Sequence, residues 1–340
     1  MPLNKAILAA YKVASQVKPD AADFYQTQRR IEDVVAKLSV PNPRCRIEGA
    51  TATMPDGYNV PLRVFTPLNL SISLPGGFRS AEAYRGTILF IHGGGWANGN
   101  VDLYIDACTS MAIRLERRVV SIDYRRSPDH RFPQAAEDCY EAARQLFAGE
   151  ILPGTPSDSI TICGDSAGGN LASVVSIMAR DRGAFHPSNQ ILFYPATYND
   201  HNPATTIFDS VRENGEDYLL TWRDIEGYMD LYRSSDEDLE NPYLAPLLEP
   251  DLSGQPRTLL ISAEYCPLRD EGETFAARIE LESGEASCYR MLNAVHGYLL
   301  YPSILTVVRD TLLICKHFLD GDPLRQNEGS PSWIRLLGTD

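Results

Sequence analysis

Short apolar runs alternate with longer amphipathic ones along most of this chain, and that alternation restricts the fold more than any other feature. Strand-like runs stand at 58–66 (YNVPLRVFT), 87–91 (TILFI), 118–123 (RVVSID), 159–163 (SITIC), 190–194 (QILFY), 258–263 (TLLISA) and 287–292. Helical periodicity fills 103–116, 134–148, 167–181, 269–283 and 303–319. Two strands joined through a helix of about ten to fifteen residues enter a sheet in parallel. The pattern therefore calls for an α/β fold, a mostly parallel sheet flanked by helices.

One segment breaks the rhythm. Residues 199–245 separate two strands by far more than a normal crossover, and they carry Tyr218, Leu219, Trp222, Ile225, Tyr228, Met229 and Tyr232 at helical spacing. An insertion of that size at a strand end is expected to be a helical cap over the carboxyl ends of the strands, where open α/β sheets bind ligands. Residues 1–45 show two further helical stretches, one through Ile7, Leu8, Tyr11 and Val13, the other through Phe24, Ile31, Val34, Val35 and Leu38. Short helices are marginal alone, so these are expected to pack as part of the cap. The expected division is N-terminal helices 1–45, first core part 46–198, cap 199–245, second core part 246–320 and a C-terminal tail 321–340. The Pro/Gly/Ser-rich stretch 68–86 reads as a loop, and the tail after Asp320 as loosely held.

The bulk numbers exclude several classes. A net charge of −14 over 340 residues argues against a nucleic-acid or anionic-membrane surface, since both call for basic patches. Seven cysteines, with no C-x-x-C and no H-E-x-x-H spacing, read as reduced thiols without a structural zinc. The apolar stretch between Lys5 and Lys12 is too short for a signal core or a membrane span, so the expected location is cytoplasmic.

The chemistry concentrates in three places. GDSAGGN at 164–170 follows a strand and opens a helix, which is the G-x-S-x-G nucleophile elbow, with Gly164, Ser166 and Gly168 in the pattern. A dinucleotide loop would read G-x-G-x-x-G and a P-loop would need Lys followed by Ser or Thr, and neither is present. Upstream, TILFIHGGGW at 87–96 ends a strand in His92 and three glycines. Glycine lets backbone N–H groups face a substrate oxygen on which negative charge develops. His92 itself reads as a brace for that loop. His296 stands in NAVHGY after the last strand; His130, His186, His201 and His317 carry no motif.

Together HGGGW (92–96), DYRRSPDHRFPQAAEDCY (123–140), GDSAGGN (164–170), EYCPLRDEG (264–272) and HGY (296–298) resemble the hormone-sensitive-lipase-like branch of the α/β-hydrolases, over roughly residues 45–320. The resemblance implies an eight-stranded core with a helical cap. It implies Ser166 as nucleophile, His296 as base and Gly94, Gly95 and Ala167 as oxyanion-hole donors, with no metal and no organic cofactor. The order Ser, acid, His along the chain agrees with it.

Cys266 departs from that pattern, because the family places there the aspartate that orients the histidine. Three readings stay open: Cys266 holds His296 itself, a nearby carboxylate such as Asp270 or Glu264 reaches the imidazole instead, or the site has been repurposed. Asp270 and Glu271 read as acids at a helix start. The expected function is serine-dependent acyl transfer: hydrolysis of a carboxylic ester or lactone, or transfer of the acyl group to an internal hydroxyl. The expected substrate is an apolar or polyketide-like small molecule, with the aromatic cap residues Tyr218 and Trp222 against it. A homodimer is left open. The alternatives are a cyclase or carbon–carbon-bond-forming enzyme of secondary metabolism, with His296 as base and an enolate in the oxyanion hole, and, with less support, a non-catalytic receptor.

Overall fold

The apolar runs at 87–91, 118–123, 159–163, 190–194 and 258–263 become neighbouring strands at the centre of one sheet. The computed structural model describes residues 13, 21–37, 42–73, 77–82, 84–322 and 332–337. Its strands are β1 (Cys45–Thr53), β2 (Asn59–Ser73), β3 (Gly77–Glu82), β4 (Thr87–Ile91), β5 (Arg118–Ile122), β6 (Ile160–Asp165), β7 (Asn189–Phe193), β8 (Arg257–Tyr265), β9 (Ala286–Val295) and β10 (Trp333–Leu337). They run in the order β1-β2-β5-β4-β6-β7-β8-β9-β10, with β3 paired to β2 off this path. From β5 to β9 every pairing is parallel, and β1, β2 and β10 pair antiparallel at the two ends. Every residue of β4 and β6 is buried. Strands covered on both faces need no polar alternation, which is why they read as continuous apolar runs.

The eight-stranded core that the resemblance implies is β1, β2 and β4–β9, and two strands join it. β1 had escaped the sequence reading because CRIEGATAT buries only Cys45 and Ala52, as an outer strand paired along one edge can. The stretch 68–86, expected as a loop, holds the end of β2 and all of β3. The tail also corrects the expectation: β10 pairs with β9 through Trp333 opposite Met291, and Trp333 is buried.

Eight α-helices complete the described chain: α1 (Ala21–Ala36), α2 (Ile105–Leu115), α3 (Gln134–Phe147), α4 (Ala167–Arg182), α5 (Asp209–Asn214), α6 (Trp222–Tyr232), α7 (Arg269–Ser283) and α8 (Thr306–Asp320). α3 packs on α4, and α2 packs on α8. Within the long insertion, α6 starts at a capping box: the Asp224 N–H donates to Thr221 Oγ1, and the Asp224 carboxylate accepts from the Thr221 N–H at 2.8 Å. α1 packs on α6. Three of its apolar residues, Ile31, Val34 and Val35, are 51%, 60% and 47% exposed, and polar residues make the contacts described below. The more N-terminal helix expected around residues 7–13 lies, except for Val13, outside the described residues. Among the described residues no helix is long and apolar enough to cross a membrane.

Candidate active site

Between the last residue of β6 and the first of α4, Ser166 takes φ 56° and ψ −123°. A positive φ is costly for a side-chain-bearing residue, of order 1–3 kcal/mol, and must be held by its surroundings. The surroundings are tight. A Cβ on Gly164 would lie 2.1 Å from the Gly168 carbonyl, and one on Gly168 would lie 2.1 Å from the Ile91 carbonyl. Only glycine fits on either side, so the turn closes against β4 and aims the Ser166 hydroxyl out of the strand end. Ser166 is half-buried while its neighbours Asp165 and Ala167 are buried.

His296 follows β9 directly, with Gly297 at φ 78° turning the chain away behind it. Its Nε2 lies 2.8 Å from Ser166 Oγ. The edge of the Tyr194 ring meets the imidazole at a centroid distance of 4.9 Å. On the far side, His296 Nδ1 lies 3.1 Å from Cys266 Sγ. Cys266 is fully buried just beyond the end of β8, and burial pushes its thiol pKa far up, so the group is a neutral thiol. The two carboxylates considered as substitutes are held by other donors. Asp270 accepts from the Ser210 N–H at 2.7 Å and from Arg269 Nε at 2.7 Å, and Glu264 accepts from the Asn293 N–H at 2.6 Å.

The glycine loop stands opposite. Gly94 and Gly95 have φ 122° and 59°, and a Cβ on them would lie 2.2 Å from the Asn98 carbonyl oxygen and 2.3 Å from the Tyr228 ring. Their neighbour Gly93 donates its N–H to Asp165 Oδ1 at 2.8 Å. Asp165 is buried and also accepts from the Tyr104 hydroxyl at 3.0 Å, and burial pushes its pKa up to about 7 against its hydrogen bonds. Tyr194 accepts the Leu299 N–H at 3.1 Å. His92 is buried, donates from Nδ1 to the Gly93 carbonyl at 2.8 Å and stacks on Tyr124 at 4.4 Å. Burial drops its pKa to about 3, which makes it a neutral brace and no base.

A cavity of about 420 Å³ opens over Ser166 and His296, and Gly94, Gly95 and Ala167 line it with them. Its roof is Leu219, Leu220, Ile225 and Tyr228 from the insertion, with Gln28 and Glu32 from α1. Tyr218 and Trp222, expected against the substrate, do not line it. Tyr218 stacks on Tyr265 at 4.8 Å, and Trp222 donates its indole N–H to Glu216 at 2.7 Å under the Arg223 guanidinium. Tyr218 lies in the irregular segment before α6 and Trp222 is the first residue of that helix, so their spacing in the sequence did not put them on the stripe that faces the cavity.

Other contributors were missed altogether. Glu32 accepts the Gly99 N–H at 2.9 Å, Arg29 donates to the Ala97 carbonyl at 2.7 Å, and the Tyr228 hydroxyl donates to Gln28 at 3.1 Å. Polar residues flanking an apolar helix stripe gave no sign of this in the sequence. Glu271, read as a helix-start acid, is fully buried; it accepts from the Thr197 N–H at 2.5 Å and lies 2.7 Å from His201 Nε2. Among the described residues no group of three His, Cys, Asp or Glu side chains is placed to hold a metal ion.

With this geometry in view, the comparisons with known proteins are consistent. A family model described as the alpha/beta hydrolase fold matches residues 88–300. The arylesterase of Saccharolobus solfataricus is 29% identical over 310 residues, 89% of this chain and 94% of the relative. The carboxylic ester hydrolase LipN of Mycobacterium tuberculosis is 38% identical over 250 residues, 68% of this chain and 64% of the relative. Among solved structures, a hyperthermophilic esterase from Pyrobaculum calidifontis superposes with a TM-score of 0.79 at 30% identity, covering 94% of this chain and 99% of its own. The chain belongs to the α/β-hydrolase family, in its hormone-sensitive-lipase-like branch.

Proposed function

We propose that this ester-hydrolysing enzyme works by serine-dependent acyl transfer, with Ser166 as nucleophile, His296 as base, N–H groups of Gly94, Gly95 and Ala167 around the oxyanion, and Cys266 in the position of the orienting acid. The observation that carries the reading is the 2.8 Å approach of His296 Nε2 to Ser166 Oγ at the floor of the cavity. Ser166 attacks the ester carbonyl as Nε2 takes its proton, and the backbone N–H groups receive the charge that develops on oxygen. For Nε2 to accept that proton, Nδ1 must carry the other, so Nδ1–H points at the Cys266 sulfur. Water then attacks the acyl-serine and the same nitrogen moves the proton back.

The substrate we assign is a small-molecule ester or lactone with a mainly apolar acyl part. Leu219, Leu220, Ile225 and Leu268 supply the apolar walls that support this. Incubation with a fluorophosphonate should give a mass adduct on Ser166, and Ser166→Ala should retain roughly 10⁻⁶ of the turnover on a p-nitrophenyl ester. An unlabelled Ser166 under conditions that modify an ordinary esterase would sink the proposal and turn attention to proton-abstraction chemistry by His296.

A further inference from the structure

A thiol in place of a carboxylate changes which esters such a site can use. A carboxylate facing Nδ1 does two things: it holds the proton on Nδ1, and it stabilises the imidazolium that forms when Nε2 takes the serine proton. The Cys266 sulfur, 3.1 Å from Nδ1, is a weak acceptor and carries its own proton. When that S–H turns toward Nδ1, the imidazole proton sits on Nε2, and His296 cannot act as base. In the other tautomer the sulfur gives the forming imidazolium little help. The sulfur is fully buried beside Nδ1. Asp270 and Glu264 are tied to Ser210, Arg269 and Asn293.

The penalty falls unequally on the two halves of the reaction. An ester with a good leaving group has a reactive carbonyl, so its transition state comes early, with little positive charge yet on the imidazole. Its leaving group departs as an anion and needs no proton from His296. Hydrolysis of the acyl-serine has neither advantage. There water attacks an ordinary alkyl ester, and the departing group is the Ser166 alkoxide, which must be protonated.

We infer that the site is selective for activated acyl donors, esters whose leaving group departs as a stabilised phenolate, enolate or thiolate, and that the acyl-Ser166 intermediate accumulates because its hydrolysis is the slow half. This rests on the reading of Ser166 as nucleophile. In the first half the Oγ–acyl bond forms, the bond from the acyl carbon to the leaving oxygen or sulfur breaks, and the serine proton passes to His296 and then to solvent. In the second, water adds to the acyl carbon, its proton passes through Nε2 to Ser166 Oγ, and the carboxylic acid leaves.

The test is a series of esters with one acyl group and p-nitrophenol, phenol, a thiol or ethanol as leaving group, followed by rapid mixing. Leaving-group pKa rises along it to about 16 for the alcohol, close to that of water. The p-nitrophenyl ester should give a burst of one p-nitrophenolate per active site, and the p-nitrophenyl and phenyl esters should share one kcat. The ethyl ester should show no burst and a far lower kcat/KM. In Cys266→Asp, kcat/KM for the ethyl ester should rise by about 10²-fold, the low end of what proton transfer contributes, with a change several times smaller in the burst rate of the p-nitrophenyl ester. The wild-type series decides alone if that variant does not fold. Absence of a burst together with an ethyl-ester kcat/KM within about 10-fold of the p-nitrophenyl value, in protein whose Ser166 takes the fluorophosphonate, overturns this inference and leaves the esterase reading standing. Failure of both labelling and burst would strike the esterase reading itself.

Discussion

Asp165 concentrates the tension between burial and function in a single side chain. It sits beside the nucleophile, fully buried, and it accepts hydrogen bonds from Gly93 and Tyr104. Burial raises its pKa to about 7, well above the 3.9 or so of an unfolded aspartate. A carboxyl whose folded pKa is raised contributes stability that is fully present below the unfolded value and lost as pH climbs through the folded one. His92 works in the opposite direction. Its folded pKa near 3 lies below the unfolded value near 6.5, so its contribution is lost as pH falls below about 6.5. The two slopes offset one another between about pH 4 and 6.5, which hides each in the wild type. Asp165→Asn removes one of them. Urea unfolding from pH 4 to 8 should show the stability of the variant, relative to wild type, increasing with pH up to about 7. A constant difference across that range would mean that the carboxyl is ionised throughout.

At the scale of the element, the roof of the cavity is set by how α6 and α1 are anchored. The Thr221–Asp224 box fixes where α6 begins, and the stripe it then turns inward carries Ile225 and Tyr228 while Trp222 goes to Glu216. α1 reaches the glycine loop through Arg29 and Glu32. A charge-assisted hydrogen bond of this kind stabilises a loop by about 1.5–3 kcal/mol, enough to hold the 93–99 backbone where oxyanion donors are needed. The distinction between the two faces of α6 has a measurable consequence. Ile225→Ala should lengthen the preferred acyl chain, shifting relative kcat/KM between short and long p-nitrophenyl esters by about 10-fold, the scale of one methylene in an apolar pocket. Trp222→Ala should leave that ratio unchanged while lowering the melting temperature. If Trp222→Ala shifts the chain-length profile and Ile225→Ala does not, the face assigned to substrate is wrong.

Across the whole molecule, legibility followed burial. The central strands announced themselves because both faces are covered, and the elbow did so because Gly164 and Gly168 leave no room for any other residue. The edge strands β1 and β10 bury little, so their sequences carry a weak signal. Ser166 and His296 could be named from motifs, and the EYCPLRDEG loop offered Cys266 as one reading of the group facing Nδ1, but telling it from Asp270 or Glu264 took a distance. The same holds for Glu271 and His201, which meet in the interior from 70 residues apart. That pair joins the start of the insertion to the first turn of α7, and so couples the roof of the cavity to the core. Burial pulls the His201 pKa down, but the Glu271 charge and hydrogen bond more than offset this, and the net shift is upward. A raised histidine contributes stability that is complete below about pH 6.5 and is lost as pH rises through the folded pKa. His201→Gln leaves a buried carboxylate without its charged partner, a loss of about 3–5 kcal/mol. Urea unfolding should therefore show the variant far less stable than wild type at pH 6, with the gap narrowing toward pH 9. An equal gap at both pH values would show that His201 is neutral in the folded protein and that the bond to Glu271 is an uncharged one.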